Sequence, residues 1–227
     1  MKPITVLLAE DHQIVREGFR SLLEHERDIE VVGEAETGRQ AVQLTRKLRP
    51  AVVVMDIAMP LLNGLEATRQ IRKDFPDTRV LILSAHSDDA YVEKVAALGA
   101  MGFLLKQTSS DVLAKAIREV QKGNTFFSPA ISRRVRARSQ KLAAPGWSST
   151  KRSNRLSSRE LEVLQLIAEG KPNKQVAAEL GVSFKTVDKH RQHLMGKLNI
   201  HDIAGLTRYA ISKGVIETGR AVKLLSA

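Results

Sequence analysis

The 227-residue chain contains no cysteine. This excludes a disulfide framework, a thiolate metal centre and a cysteine nucleophile, and it fits a reducing cytosol. Aromatic residues are few, with one Trp, two Tyr and six Phe, so any core must rest on aliphatic side chains. No apolar run approaches the roughly 20 residues of a membrane span. Met1-Lys2-Pro3 leads straight into a strand pattern. No secretory or transit segment is expected, no membrane partner, and a cytoplasmic location. The second half is also poor in acid. Residues 1–127 hold 17 Lys/Arg and 18 Asp/Glu, a balance of −1, whereas residues 128–227 hold 19 against 7, a balance of +12. A neutral half joined to a basic half points to a polyanion partner for the second half only.

Apolar runs at Ile4–Ala9, Glu30–Ala35, Ala51–Asp56, Val80–Ser84 and Gly102–Leu105 have the length and branched content of buried strands. Helical patterns separate them. One spans Gln13–Leu23, with Ile14, Val15, Gly18, Phe19, Leu22 and Leu23 expected on its buried side. A second opens with the capping spacing Thr37–Gln40 and stops before Pro50, and a third follows Gly64 and ends near Pro76. The fourth and fifth, near Asp89–Leu98 and Ser110–Lys122, are closed by Gly99 and Gly123. Such alternation predicts an α/β fold, a doubly wound five-stranded parallel sheet. Glu10, Asp11, Asp56, Ser84 and Lys106 then stand at the C-terminal ends of strands, over one sheet edge. Crowded acids call for a cation, and an Asp beside a Lys and a hydroxyl suits a phosphoryl group. A single strand-end Asp is usually only a cap or turn residue; the joint pattern carries the inference.

Residues 128–154 contain seven Lys/Arg and no acid, with Pro145, Gly146 and the single Trp147, a linker composition. From 155 to 227 the pattern is all helix. Ser157 with Glu160 forms a capping box ahead of Leu161, Val163, Leu164, Leu166 and Ile167. A short helix, Lys174–Leu180, a Gly181-Val182-Ser183 turn and a longer helix, Phe184–Leu198, make a helix-turn-helix, followed by a last helix over Asp202–Lys213. Val187, His190, Leu194 and Leu198 recur at core spacing. Lys185, Asp188, Lys189 and Gln192 lie opposite, able to reach base edges in a major groove, while Arg191 and Lys197 suit backbone phosphates. His190 fits either face, and without cysteines or a paired histidine a metal role for it is not expected.

Ala9-Glu10-Asp11-His12, Met55-Asp56-Ile57-Ala58-Met59-Pro60 with Gly64, Leu83-Ser84-Ala85 and Gly102-Phe103-Leu104-Leu105-Lys106 resemble the flavodoxin-like receiver domain of two-component response regulators. Leu156–Glu160 and the stretch from Lys185 through Arg191 to Leu198 resemble the LuxR-type helix-turn-helix. Their order is that of the NarL/FixJ subfamily, and the likeness spans nearly the whole chain outside the linker. The resemblance implies three regions: a receiver at 1–127, a basic linker at 128–154 and a DNA-binding domain at 155–227. It implies that Asp56 accepts a phosphoryl group from a sensor histidine kinase and that Glu10, Asp11, Asp56 and the Ala58 carbonyl hold Mg²⁺. It further implies that Ser84 and Lys106 contact the phosphoryl oxygens, with Phe103 as the aromatic switch. Thr186 joins the DNA-contacting set, and Ile203, Leu206, Thr207 and Ala210 match the family's dimer contact. The expected partners are the kinase, double-stranded promoter DNA, a second copy in the active state, and RNA polymerase. Gln107 departs from the pattern, standing where many relatives carry an acid.

The expected activity is regulation rather than catalysis, beyond autocatalytic aspartyl phosphorylation and dephosphorylation. A phosphohydrolase of the haloacid dehalogenase type would need a second Asp two residues after the nucleophile, where Ala58 stands. A constitutive DNA binder would not need the acidic strand ends, and a small-molecule-sensing LuxR-type regulator would lack them.

Overall fold

The computed structural model describes residues 2–85, 89–127 and 156–216, which fall into two compact units. The expected linker at 128–154, with Trp147, lies outside the described residues.

In the first unit, strands β1 (Ile4–Ala9), β2 (Ile29–Ala35), β3 (Val52–Asp56), β4 (Arg79–Ser84) and β5 (Gly102–Leu105) alternate with helices α1 (Gln13–Glu24), α2 (Gly38–Leu48), α3 (Gly64–Asp74), α4 (Asp89–Ala97) and α5 (Ser110–Gln121). All strand pairs are parallel, in the order β2-β1-β3-β4-β5. The order reverses at β1, and that switch point lies beside the C-terminal ends of β1 and β3, where ligands bind in open α/β sheets. Val6, Leu8, Val52, Val54, Leu81 and Leu83 pack with Phe19 and Leu23 of α1 and Leu113 and Ile117 of α5. The alternate residues Leu7, Val53, Met55, Val80 and Ile82 are fully buried too, on the side where α2 and α3 meet the sheet. Burial on both faces explains why these strands read as continuous apolar runs, each side chain contributing about 1.5–3 kcal/mol.

Helix α1 is turned relative to its expected face. The row Val15–Phe19–Leu23 faces the sheet, Arg16 is buried as well, and Ile14 and Leu22 are left 85% and 40% exposed, with Gly18 exposed between them. The cause is geometric. Residues at i, i+4 and i+8 form one row, and a sheet can cover only one such row together with its flank. At the start of α2, the Thr37 hydroxyl accepts the Gln40 N–H at 3.1 Å as expected, while the Gln40 amide oxygen accepts from the Glu36 N–H at 2.8 Å.

The second unit comprises α6 (Ser158–Ala168), α7 (Asn173–Leu180), α8 (Phe184–Leu198) and α9 (Ile203–Ser212). The capping box is present in both directions, Glu160 N–H to Ser157 Oγ at 3.3 Å and Ser157 N–H to Glu160 Oε2 at 2.7 Å. Gly181 ends α7 with φ of 60°, a left-handed conformation that favours glycine. Ser183 then caps α8 through the Thr186 N–H at 3.1 Å. The core joins Val163, Leu164, Leu166 and Ile167 of α6 to Val176, Val187, Leu194 and Leu206. Val187 and Leu194 are buried, whereas His190 and Leu198 are only half-buried. Among the described residues, no helix is long and apolar enough to cross a membrane.

Candidate functional sites

Strand register brings the acidic residues together. β1 ends at Ala9, opposite Met55 of β3, so Glu10 and Asp56 each stand one residue beyond that pair. On the other side Asp56 pairs with Leu83 and Ser84 with Leu105. Lys106 follows directly, its N–H donating to the Ser84 carbonyl at 2.9 Å. Its Nζ reaches back to Glu10 Oε2 at 2.7 Å and Asp56 Oδ1 at 3.0 Å. Glu10, Asp56 and Ser84 are each 3% exposed. Among the described residues Asp56 Oδ2 is buried without a hydrogen-bond partner, a costly state that a cation or phosphoryl group would relieve. Burial first, and then the Glu10 charge, push the Asp56 carboxyl up to about 6, against the opposing pull of Lys106. Burial draws Lys106 down, but the Asp56 and Glu10 carboxylates outweigh it and hold the ammonium above its usual range.

Glu10, Asp11 and His12 offer ligand atoms within 4.8 Å of one another. His12 Nδ1 lies 3.1 Å from both Glu10 Oε1 and Asp11 Oδ1. Three carboxylates, with Asp56 Oδ2 buried and unbonded among the described residues, fit a hard divalent cation such as Mg²⁺, which takes oxygen ligands. Ala58 is half-buried in the loop after β3. That loop turns close over the strand: the Gly64 N–H donates to the Ile57 carbonyl at 2.8 Å, and a Cβ on Gly64 would sit 1.9 Å from the Asp56 carbonyl oxygen. Only glycine fits there. Phe103 is buried on β5, and its N–H donates to the Phe126 carbonyl at 3.0 Å.

Sequence reasoning passed over Arg16. Its buried guanidinium donates to the Glu10 carbonyl at 2.8 Å and to Glu34 and Glu36 at 2.9 and 3.0 Å. It thereby fixes the backbone that carries the first pocket carboxylate. Its row, Arg16–Arg20–Glu24, reads as a solvated charged face, so the sequence carried no signal for its burial.

On α8, Lys185, Lys189 and Gln192 are exposed, and Asp188 and Thr186 are half-buried. The Gln192 amide donates to Asp188 Oδ2 at 3.0 Å, so the acid is paired on the outward face. Arg191 Nη1 donates to Asn173 Oδ1 at 3.1 Å, toward α7. Lys197, expected at a phosphate, instead ion-pairs with Glu160 Oε2 at 2.7 Å; the capping carboxylate needed a cation once α6 and α8 packed together. On α9 the expected dimer set divides. Ile203 is 53% exposed and Thr207 half-buried, but Leu206 and Ala210 are fully buried in the unit's own core. The i, i+4 row 206–210 faces α6, which leaves the 203–207 row outward.

A parallel sheet with an acidic strand-end pocket, and a separate helix-turn-helix unit, define a regulator that joins a signal-receiving domain to a DNA reader. Comparison agrees over both halves. Residues 6–118 match the response regulator receiver domain, and residues 154–210 match bacterial regulatory proteins of the luxR family. The chain is 39% identical over 210 residues to the transcriptional regulatory protein LiaR of Bacillus subtilis, covering 91% of this chain and 96% of LiaR. It is 38% identical over 214 residues to the oxygen regulatory protein NreC of Staphylococcus carnosus, covering 93% and 99%. The structure of the two-component response regulator RcsB in complex with DNA is similar at 30% identity and a TM-score of 0.55, over 93% of this chain and 99% of that one. The chain belongs to the two-component response regulators with a LuxR-type DNA-binding domain.

Proposed function

We propose that this regulator is switched by phosphorylation of Asp56 and that the switch controls its binding to promoter DNA in the cytoplasm. The observation that carries the reading is the buried Asp56 carboxylate beside the Lys106 ammonium, its Oδ2 without a hydrogen-bond partner among the described residues. A phosphohistidine on a sensor kinase donates the phosphoryl group; its P–N bond breaks as an Asp56 oxygen–phosphorus bond forms. Lys106, 3.0 Å from Asp56 Oδ1, offsets the charge that builds on the transferred group. Glu10, Asp11, Asp56 and the Ala58 carbonyl would hold Mg²⁺, which neutralises phosphoryl oxygens in such transfers. Arg16 keeps Glu10 in place through its carbonyl.

Ser84 is the hydroxyl able to follow the new phosphoryl group, and Phe103 the ring able to repack with it. Both lie at the β4–β5 edge, where a local shift would bias a two-state surface. The active form pairs as a dimer through Ile203 and Thr207 on α9. Each α8 then presents Lys185, Asp188, Lys189 and Gln192 to base edges of one half-site, with Thr186 and Arg191 toward the backbone. The test is DNA affinity with and without a small-molecule phosphodonor and Mg²⁺. Tighter binding by the phosphorylated protein is expected; equal affinity in both states would overturn phosphorylation as the control.

A further inference from the structure

The outward face of α8 carries a side chain that neither core packing nor charge explains. Phe184, the first residue of the helix, is 58% exposed and is the one aromatic among the large exposed apolar side chains of the described residues. It begins the row Phe184–Asp188–Gln192, spaced by four and therefore stacked along one side of the helix. Asp188 and Gln192 are already joined by a 3.0 Å hydrogen bond. The base of the ring is held firmly, because Ser183 caps the helix through the Thr186 N–H at 3.1 Å and its hydroxyl lies 2.8 Å from that of Thr186.

The N-terminal residues of a recognition helix are those that meet base edges. A phenyl ring has no donor or acceptor, and the apolar group that base edges offer in a major groove is the thymine C5-methyl. We propose that Phe184 is a specificity-determining residue that packs on a thymine methyl in each half-site. It extends the reading row beyond the hydrogen-bonding pair Asp188–Gln192. The inference rests on the DNA-contact reading of α8 above. The exposed lysines at 185 and 189 on the same helix supply attraction to the polyanion, which the ring cannot.

The experiment uses the full chain. Duplexes are enriched from a random pool by the wild-type protein, and each thymine of the enriched sequence is then replaced singly by uracil, which removes only the methyl. Losing one buried methyl contact is worth roughly fourfold in affinity. Wild type should lose about that factor at one thymine per half-site. Phe184→Ala should bind the thymine duplex more weakly and be indifferent to the same replacement, while Phe184→Leu should keep part of the discrimination. Circular dichroism melts check that both variants fold, and an enriched duplex establishes DNA contact before the ring is tested. Wild type indifferent to every uracil, or Phe184→Ala with the wild-type thymine-to-uracil ratio, would overturn the proposal. Loss of self-association in Phe184→Ala with that ratio unchanged would assign the ring to a second copy and overturn it equally.

Discussion

Replacing Lys197 by Met separates a structural ion pair from a phosphate contact while keeping the aliphatic stem. Lys197 Nζ stands 2.7 Å from Glu160 Oε2, and the same oxygen accepts the Ser157 N–H of the capping box at 2.7 Å. Breaking a fully buried pair from one side costs about 3–5 kcal/mol. Here the Glu160 side chain is 5% exposed but that of Lys197 is 34% exposed, so water screens the pair and the cap bond remains. A loss of about 1–2 kcal/mol is the reasoned magnitude. Glu160→Gln keeps a capping acceptor and removes the charge, so its cost should be similar, and the double variant should cost little more than either alone. That corresponds to a coupling of about 1 kcal/mol. The assay is urea unfolding of the full chain, with DNA binding measured across salt concentrations.

The pH dependence has a definite sign. Burial pushes Glu160 up, but the bonds from Lys197 and Ser157 outweigh it and hold the carboxyl below its ordinary 4.5. Its stabilisation is therefore present above the unfolded value and is lost as pH falls through the lower folded one. Lys197→Met should flatten that acid-side loss. The reasoning is refuted if Lys197→Met leaves stability unchanged and instead reduces the log-affinity-versus-log-salt slope by about 0.9, the mark of one lost phosphate contact.

Four further variants have definite expected outcomes. In EDTA at pH 7, Asp56→Asn should stabilise the receiver fold by about 3 kcal/mol, since burial and then Glu10 raise Asp56 from 3.8 to about 6. The ionised carboxylate's penalty develops as pH rises from about 4 through 6, so equal stability of the two proteins at pH 7 in urea titrations would count against it. Gly64→Ala, which drives a Cβ to 1.9 Å from the Asp56 carbonyl oxygen, should cost more than about 2 kcal/mol by thermal melting and impair phosphorylation. Leu206→Ala should cost about 2–5 kcal/mol as a core truncation. Ile203→Ala, at 53% exposure, should leave stability nearly unchanged and weaken dimerisation measured by sedimentation.

The five strands were legible because parallel strands buried on both faces leave continuous Val/Ile/Leu runs, and strand ends locate Asp56, Ser84 and Lys106 without knowledge of side-chain contacts. The capping box at Ser157–Glu160 was legible because it is local, two residues three apart. What was not legible depends on partners distant in sequence. Lys197 meets Glu160 across 37 residues and Arg16 meets Glu34 across 18, and no periodicity encodes either pairing. Helix phase was the other gap. Rows one residue apart on a helix differ by about 100°, so the rows of Ile14 and Arg16 flank the Val15 row on opposite sides, and periodicity alone does not tell which flank the sheet covers. The dimer set on α9 came from the family likeness and not from helix phase, and two of its members, Leu206 and Ala210, lie in the core.

The central claim, a phosphoryl switch at Asp56, is tested most directly by mass spectrometry of the full chain incubated with acetyl phosphate and Mg²⁺, wild type beside Asp56→Asn, with oligomeric state followed in parallel. The account predicts a single phosphoryl adduct that requires Mg²⁺, is absent from the variant, and is accompanied by dimer in wild type alone. An adduct of equal extent on Asp56→Asn, or none on wild type despite bound Mg²⁺, would contradict it.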